Sequence, residues 1–230
     1  MMREIELKLS IPEERSRDVW QSLAHLDHDR PVARTLYSAY YDTPDERLRQ
    51  HGLALRLRRD GRRWMQTLKG GGSATGGLHQ RIEHDTRVPA QRLNFSALAE
   101  AGIGALIADH EVRGSLSIAF ITEFRRSSAL LRLAGGDTVE VSIDNGEIVA
   151  GRRRVPISEI ELELKSGSPA CLFELAAQIA RRLPARLDNR SKAQRGYALA
   201  AGLTAAPVKA LEVALDPAMR PDEAFALLAF

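Results

Sequence analysis

Glu4, Glu6 and Lys8 alternate with Ile5, Leu7 and Leu9. Side chains alternate across an extended strand, so the three charges share one face and the three apolar residues share the other. The same period recurs along the chain. Arg56 and Arg58 interleave with Leu55 and Leu57, and Lys69 shares parity with Met65 and Thr67. Arg81, Glu83 and Asp85 fall on one face. So do Phe124, Arg126 and Ser128, then Glu140, Ser142 and Asp144, and finally Glu159, Glu161 and Glu163.

Any one of these strands is satisfied by an antiparallel sheet with one face on a core and the other in water. The set asks for more. One face carries only arginines at successive positions and another only glutamates, and like charges spaced this way repel unless partners are supplied. A polyanion and metal cations would supply them. Glutamates are hard oxygen donors suited to Mg²⁺ or Mn²⁺. Arginine forks and lysine point charges match phosphate oxygens. A triphosphate, several negative charges along a short rod, fits such an array. A closed β-barrel holds both sets pointing inward, because interior and exterior positions alternate on every strand. Ile5, Leu7, Leu55, Leu57, Ile160, Leu162 and Leu164 then face outward and need helices to cover them.

The elements that would position these residues can be read in order. Alternation predicts strands over 4–9, 36–41, 53–58, 63–69, 78–88, 118–133, 138–143 and 160–165. Helical spacing of Val19, Trp20, Leu23 and Leu26 predicts a helix after Pro12, and another is predicted from Phe95 to Asp109. A short helix follows Thr43-Pro44-Asp45, a longer one spans Pro169 to Leu183, and Ser191 caps a last one ending near Gly202. Asn145-Gly146 reads as a hairpin turn. The glycine-rich run at 70–77 reads as a solvated hairpin connection. It is not a P-loop, because no Gly-Lys-Ser/Thr follows it. About eight strands with helices between some of them suggest an α+β fold, a mostly antiparallel sheet or barrel decorated by helices.

Bulk properties narrow the partners. Lysine plus arginine number 33 against 30 acids, for a formal net charge of +3. That balance gives no electrostatic case for duplex nucleic acid. The single cysteine, Cys171, rules out an intrachain disulfide or a cysteine-pair zinc site within this sequence and fits a reducing compartment. There is no apolar run of membrane-spanning length and no secretory leader pattern, so a cytoplasmic protein without membrane contact is expected. No HExxH or Gly-x-Ser-x-Gly pattern occurs, and no covalent intermediate is expected. Trp20 and Trp64 are read as packing residues, Cys171 as buried and inert, and His79 as a structural group at a hairpin edge.

The ordered motifs resemble the CYTH domain family of triphosphate tunnel metalloenzymes. Glu4-Ile5-Glu6-Leu7-Lys8 matches its ExExK signature, and Tyr40-Tyr41-Asp42-Thr43-Pro44 its YYDTP segment. Leu55-Arg56-Leu57-Arg58 and Thr67-Leu68-Lys69 resemble its basic strands, and Glu161-Leu162-Glu163 and Ser191-Lys192-Ala193 its late motifs. The stretch from Gly77 to Glu83 resembles the bacterial branch in which CYTH precedes a helical CHAD domain. The resemblance implies an eight-stranded antiparallel closed barrel with a charged interior and surrounding helices, forming a tunnel domain over residues 1–203, with 204–230 as a linker and the start of a CHAD-like helical segment. It also implies hydrolysis of tripolyphosphate to pyrophosphate and phosphate with Mg²⁺ or Mn²⁺. Carried over by motif, Glu4, Glu6, Lys8, Glu161 and Glu163 form the catalytic set. Glu4, Glu6, Glu83, Asp144, Glu161 and Glu163 hold metal, and Lys8, Arg56, Arg58, Lys69, Arg81, Arg126 and Lys192 line the phosphate chain. Arg126 is preferred to Arg125 because it shares strand parity with Ser128. Other readings are an adenylate cyclase or a thiamine or nucleoside triphosphatase on the same fold, and a polyphosphate-binding module without catalysis.

Overall fold

The computed structural model describes residues 2–99 and 105–203. Eight long strands dominate: β1 (Met2–Ser10), β3 (Val32–Asp42), β4 (Ala54–Asp60), β5 (Arg63–Thr75), β6 (Leu78–Val88), β7 (Ser117–Arg132), β8 (Thr138–Ala150) and β9 (Arg153–Ser166). They pair antiparallel in the order β1-β6-β5-β4-β3-β7-β8-β9, and β9 returns to β1 to close the barrel. Two-residue strands β2 (Asp27–His28) and β10 (Arg186–Leu187) extend β7 and β1. The closing seam sets Lys8 opposite Glu161 and Glu6 opposite Glu163.

The apolar halves of the strands face outward, as the alternation requires. Leu7, Val141, Ile160 and Leu162 pack under α1 (Asp18–Leu23) and α6 (Ala170–Ala180), where Leu172, Leu175 and Ile179 complete a buried cluster that also holds Cys171. On the other side Leu55 and Leu68 pack against Leu98, Ile107 and Val112 of α3 (Phe95–Ala99), α4 (Ala105–Ala108) and α5 (His110–Ser115). Burying each such leucine contributes about 1.5–3 kcal/mol. This outer shell leaves the barrel's inner face free to be polar.

The inner face is not charged throughout. At one end Leu36, Phe120, Phe124, Ile148 and Ile157 point inward and form an apolar floor with Tyr40. The last helix among the described residues, α7 (Lys192–Ala200), packs its Tyr197 into that floor. Ser191 caps α7 by a reciprocal box with Gln194, in which each side chain takes the other residue's backbone N–H. Asp42 anchors the same region. It accepts hydrogen bonds from the backbone of Thr43, Leu48 and Arg49 and from the Tyr197 hydroxyl, at 2.8–3.0 Å. One carboxylate thereby ties the end of β3 to α2 (Arg47–Gln50) and to α7.

Several sequence expectations need correction. Asn145-Gly146 is not a turn, for β8 runs through it unbroken. Gly146 sits opposite Phe124, and a Cβ there would lie 2.2 Å from the Glu123 carbonyl oxygen and 2.4 Å from Phe124 Cα. The glycine serves close strand approach rather than chain reversal. The run at 70–77 is mostly strand, with a bulge between Gly70 and Gly72 at which Gly71 adopts a left-handed φ of 57°. Of the helix expected over 95–109, the described residues Phe95–Ala99 and Ala105–Ala108 are helical. The 204–230 segment, with its CHAD-like start, lies outside the described residues.

Gly196 of α7 lies against Phe120, and a Cβ there would sit 2.1 Å from the ring. Phe120 is in turn stacked on Tyr40, ring centroids 4.5 Å apart, and has little room to retreat. Gly196→Ala is therefore expected to lose about 1–3 kcal/mol by overpacking, read as a lower midpoint in thermal and urea denaturation.

Candidate active site

The charged residues picked out by alternation come together inside the barrel. A single cavity is lined by seven basic side chains, Lys8, Arg56, Arg58, Lys69, Arg81, Arg126 and Lys192, and by three carboxylates, Glu4, Glu6 and Glu161. Arg126 projects inward, whereas Arg125, of opposite parity, is exposed on the outside.

Deep in the cavity Asp144, Glu159 and Glu161 bring carboxylate oxygens within 4.8 Å of one another. Asp144 and Glu159 are 0% and 1% exposed. Four cations hold them. Arg126 grips Asp144 with two parallel bonds of 2.7 and 2.6 Å and also pairs with Glu161. Lys192 enters from the first turn of α7, 2.6 Å from Asp144 and 2.9 Å from Glu161, and is paired with Glu159 as well. Lys8 lies 3.0 Å from Glu161 and 3.4 Å from Glu159. Arg195, one turn after Lys192, reaches the other oxygen of Glu159 at 3.1 Å.

Nearer the mouth Lys69 bridges Glu4 at 2.7 Å and Glu83 at 2.9 Å, and Arg56 meets Glu83 at 3.3 Å. The Arg81 guanidinium donates to His79 Nδ1 at 3.0 Å, and the buried His79 is held from its other nitrogen by the Asp188 carbonyl. Two donors stand apart. Arg58 has no ion pair among the described residues and donates only to Ser38 Oγ, at 3.1 Å. Among the described residues the buried Nε of Arg56 has no hydrogen-bond partner. An unpaired buried donor is costly and points to an absent acceptor.

Electrostatics follow the pairing. Burial opposes ionisation of Glu161, yet Lys192, Lys8 and Arg126 outweigh it and hold its carboxyl well below the usual range. Asp144 is lowered too, burial being overcome by Arg126 and Lys192. Lys8 is raised well above an ordinary lysine because Glu159, Glu161 and Glu6 overcome its burial. Arg58 goes the other way. Burial, then the charges of Arg56 and Arg126, bring its pKa down to about 10.

The acids divide into two kinds. Asp144, Glu159 and Glu161 are already saturated by ammonium and guanidinium groups. Glu6, Glu163 and Glu140 stand abreast across β1, β9 and β8, and like charges directly opposite one another repel. Lys165 lies 2.6 Å from Glu163 and 3.8 Å from Glu140, and Lys8 is 3.9 Å from Glu6, so the row has fewer and mostly longer cation contacts than the trio. Burial and neighbouring carboxylates raise the Glu163 pKa despite Lys165. A divalent cation fits this row of hard oxygen donors better than it fits the saturated trio.

Some members of the constellation were not picked out from sequence. Glu159 belongs to the same alternating face as Glu161 and Glu163, so its inward aim was readable, though its burial among cations was not. Tyr40 lines the cavity beside Arg56 and Arg58. Arg195 is one helical turn from Lys192, a spacing that puts both on one face.

The CYTH domain model matches residues 2–197 of the chain. An inorganic triphosphatase from Haemophilus influenzae is 33% identical over 202 residues, covering 86% of this chain and 55% of that protein. The chain thus spans about half the length of that relative. Among solved structures, a Hippeastrum protein described as a candidate adenylyl cyclase with a dominant triphosphatase activity superposes with a TM-score of 0.64 at 19% identity. It covers 88% of this chain and 97% of its own. A candidate adenylate cyclase from Bacillus halodurans gives 0.52 at 18%, over 85% and 98%. These two likenesses establish the fold.

The depressed carboxyls make stability depend on pH in a stated direction. Their contribution is complete above the unfolded-state carboxyl pKa of about 4 and is lost as pH falls through their lower folded values. Urea unfolding from pH 7 down to pH 2.5 is expected to show stability falling on the acid side, with a shallower fall in Glu161→Gln.

Proposed function

The chain belongs to the CYTH domain family, and from that membership we propose that its tunnel hydrolyses inorganic triphosphate to pyrophosphate and phosphate with Mg²⁺ or Mn²⁺. The observation that carries the reading is the pair of cationic groups facing the cavity that lack anionic partners among the described residues, the Arg58 guanidinium and the buried Nε of Arg56. A triphosphate chain would supply those partners. Identity of 33% to an inorganic triphosphatase supports the substrate class.

Lys8, Arg56, Arg58, Lys69, Arg81, Arg126 and Lys192 bind the chain and offset charge on its equatorial and leaving-group oxygens. In phosphoryl transfer most of the catalysis is positioning and electrostatics of this kind. Glu4, Glu6 and Glu163, on the adjacent walls β1 and β9, would hold metal, with Glu83 beside them and Glu161 and Asp144, already paired with cations, supporting. A divalent ion bound there supplies Lewis acidity and relieves the repulsion of the acid row. The chain's own contribution is a preformed field. Lys192 and Arg126 are fixed by the buried Asp144, and Lys8 is fixed by Glu161, so their charges need little reorganisation. The tunnel domain occupies residues 1–203.

The direct test is phosphate release from tripolyphosphate, ATP and thiamine triphosphate, each with Mg²⁺, with Mn²⁺ and with chelator. Fastest release from tripolyphosphate, lost on chelation, is expected. Glu4→Gln and Glu161→Gln should each lower turnover by about 10²–10³-fold while the protein remains folded. Near-normal turnover in either variant would remove the assignment, and cyclic AMP formed from ATP would replace it with a cyclase.

A further inference from the structure

Cations held inside a tunnel need stabilisation before any anion arrives. Most here receive it from carboxylates, and each of those carboxylates repels an incoming phosphate. Arg58 is arranged differently. Its guanidinium carbon lies 5.7 Å from the centroid of the Phe124 ring, and its one hydrogen-bond acceptor is the neutral Ser38 hydroxyl at 3.1 Å. The same ring receives Arg126 at 5.7 Å and the Lys192 ammonium at 4.9 Å. Three cations from three elements, β4, β7 and α7, thus converge on one aromatic side chain that is 2% exposed.

The backbone is shaped for this ring. Phe124 stands between Leu36 on β3 and Gly146 on β8. A Cβ at position 146 would come within 2.6 Å of Phe124 Cβ. The glycine therefore lets the strands close tightly where the ring forms the floor of the charged cavity.

We propose that Phe124 is a positioning residue for phosphate binding, its ring face standing in for a carboxylate so that Arg58 is held toward the cavity without a neutralising anion. The inference rests on the reading of the tunnel as a phosphate-chain site. An aromatic face attracts a cation through its quadrupole yet carries no net charge. It orients Arg58 and does not oppose the substrate. The lowered Arg58 pKa agrees with a cation crowded by other cations and lacking a fixed counter-ion. Arg126 and Lys192 receive the same attraction, in addition to their carboxylates.

The test replaces Phe124 with mono-, di- and trifluorinated phenylalanine in the otherwise intact chain. Fluorine drains the ring's electron density with little change of shape. Calorimetric affinity for tripolyphosphate should weaken stepwise, reaching roughly 3–30-fold for the trifluorinated ring, while the thermal midpoint stays near that of the wild type. Equal affinity across the series, with tight binding by the wild type, overturns the role of Phe124 alone. Wild-type protein that binds no tripolyphosphate overturns the reading of the tunnel and this inference with it. Phe124→Leu provides a second measurement. Its loss of affinity should be smaller in an Arg58→Met background than in the native one, and equal losses in the two backgrounds would contradict a role through Arg58. Should Phe124→Leu fail to fold, the fluorinated series decides.

Discussion

Everything inside this barrel depends on keeping a crowd of charges out of bulk water. An ion removed from solvent is costly unless an opposite charge or a strong dipole sits beside it. The interior meets that demand by interlocking. Asp144 is gripped by Arg126 and Lys192, Lys192 also engages Glu159 and Glu161, and Glu161 engages Lys8. Removing one member leaves its partners exposed to the full penalty, so these side chains behave as a unit. The outer shell follows from the inner one. With the inner face given over to ions, the apolar residues of the same strands face outward, and α1, α3, α4, α5 and α6 are needed to bury them.

The last helix joins the two requirements. Its Tyr197 belongs to the apolar floor, while Lys192 and Arg195 belong to the ionic network. Asp42, far away in sequence, holds that helix in place through the Tyr197 hydroxyl. The YYDTP segment therefore contributes twice. Tyr40 lines the cavity beside the arginines, and Asp42 fixes the element that delivers Lys192.

Much of this was legible in the sequence, because a period of two reports which residues share a face whatever the strand's neighbours are. Parity with Ser128 favours Arg126 over Arg125, and it takes the folded barrel to show that this face points inward. What alternation cannot show is which strand lies beside which. The row of Glu6, Glu163 and Glu140 arises only when β9 closes onto β1. Gly146 misled for a related reason. Asn-Gly is a strong turn signal locally, but its glycine answers to the neighbouring strand, which passes too close for a side chain. The apolar floor was likewise hidden, since Leu36, Phe120 and Ile157 look like ordinary core residues until closure turns them inward.

Closure has one more effect, on how the protein meets its neighbours. An open sheet ends in strands with unpaired N–H and C=O groups, and such edges invite another chain to add a strand of its own. Here β1, which would be an edge in a flat sheet, pairs on one side with β6 from Met2 to Leu7 and with β10 at Leu9 and Ser10, and on the other side with β9 from Glu6 to Ser10. Closure at that seam shortens the free margin that the sheet offers to a crowded solution. The geometry that gathers charges inward also guards the fold against edge-to-edge aggregation.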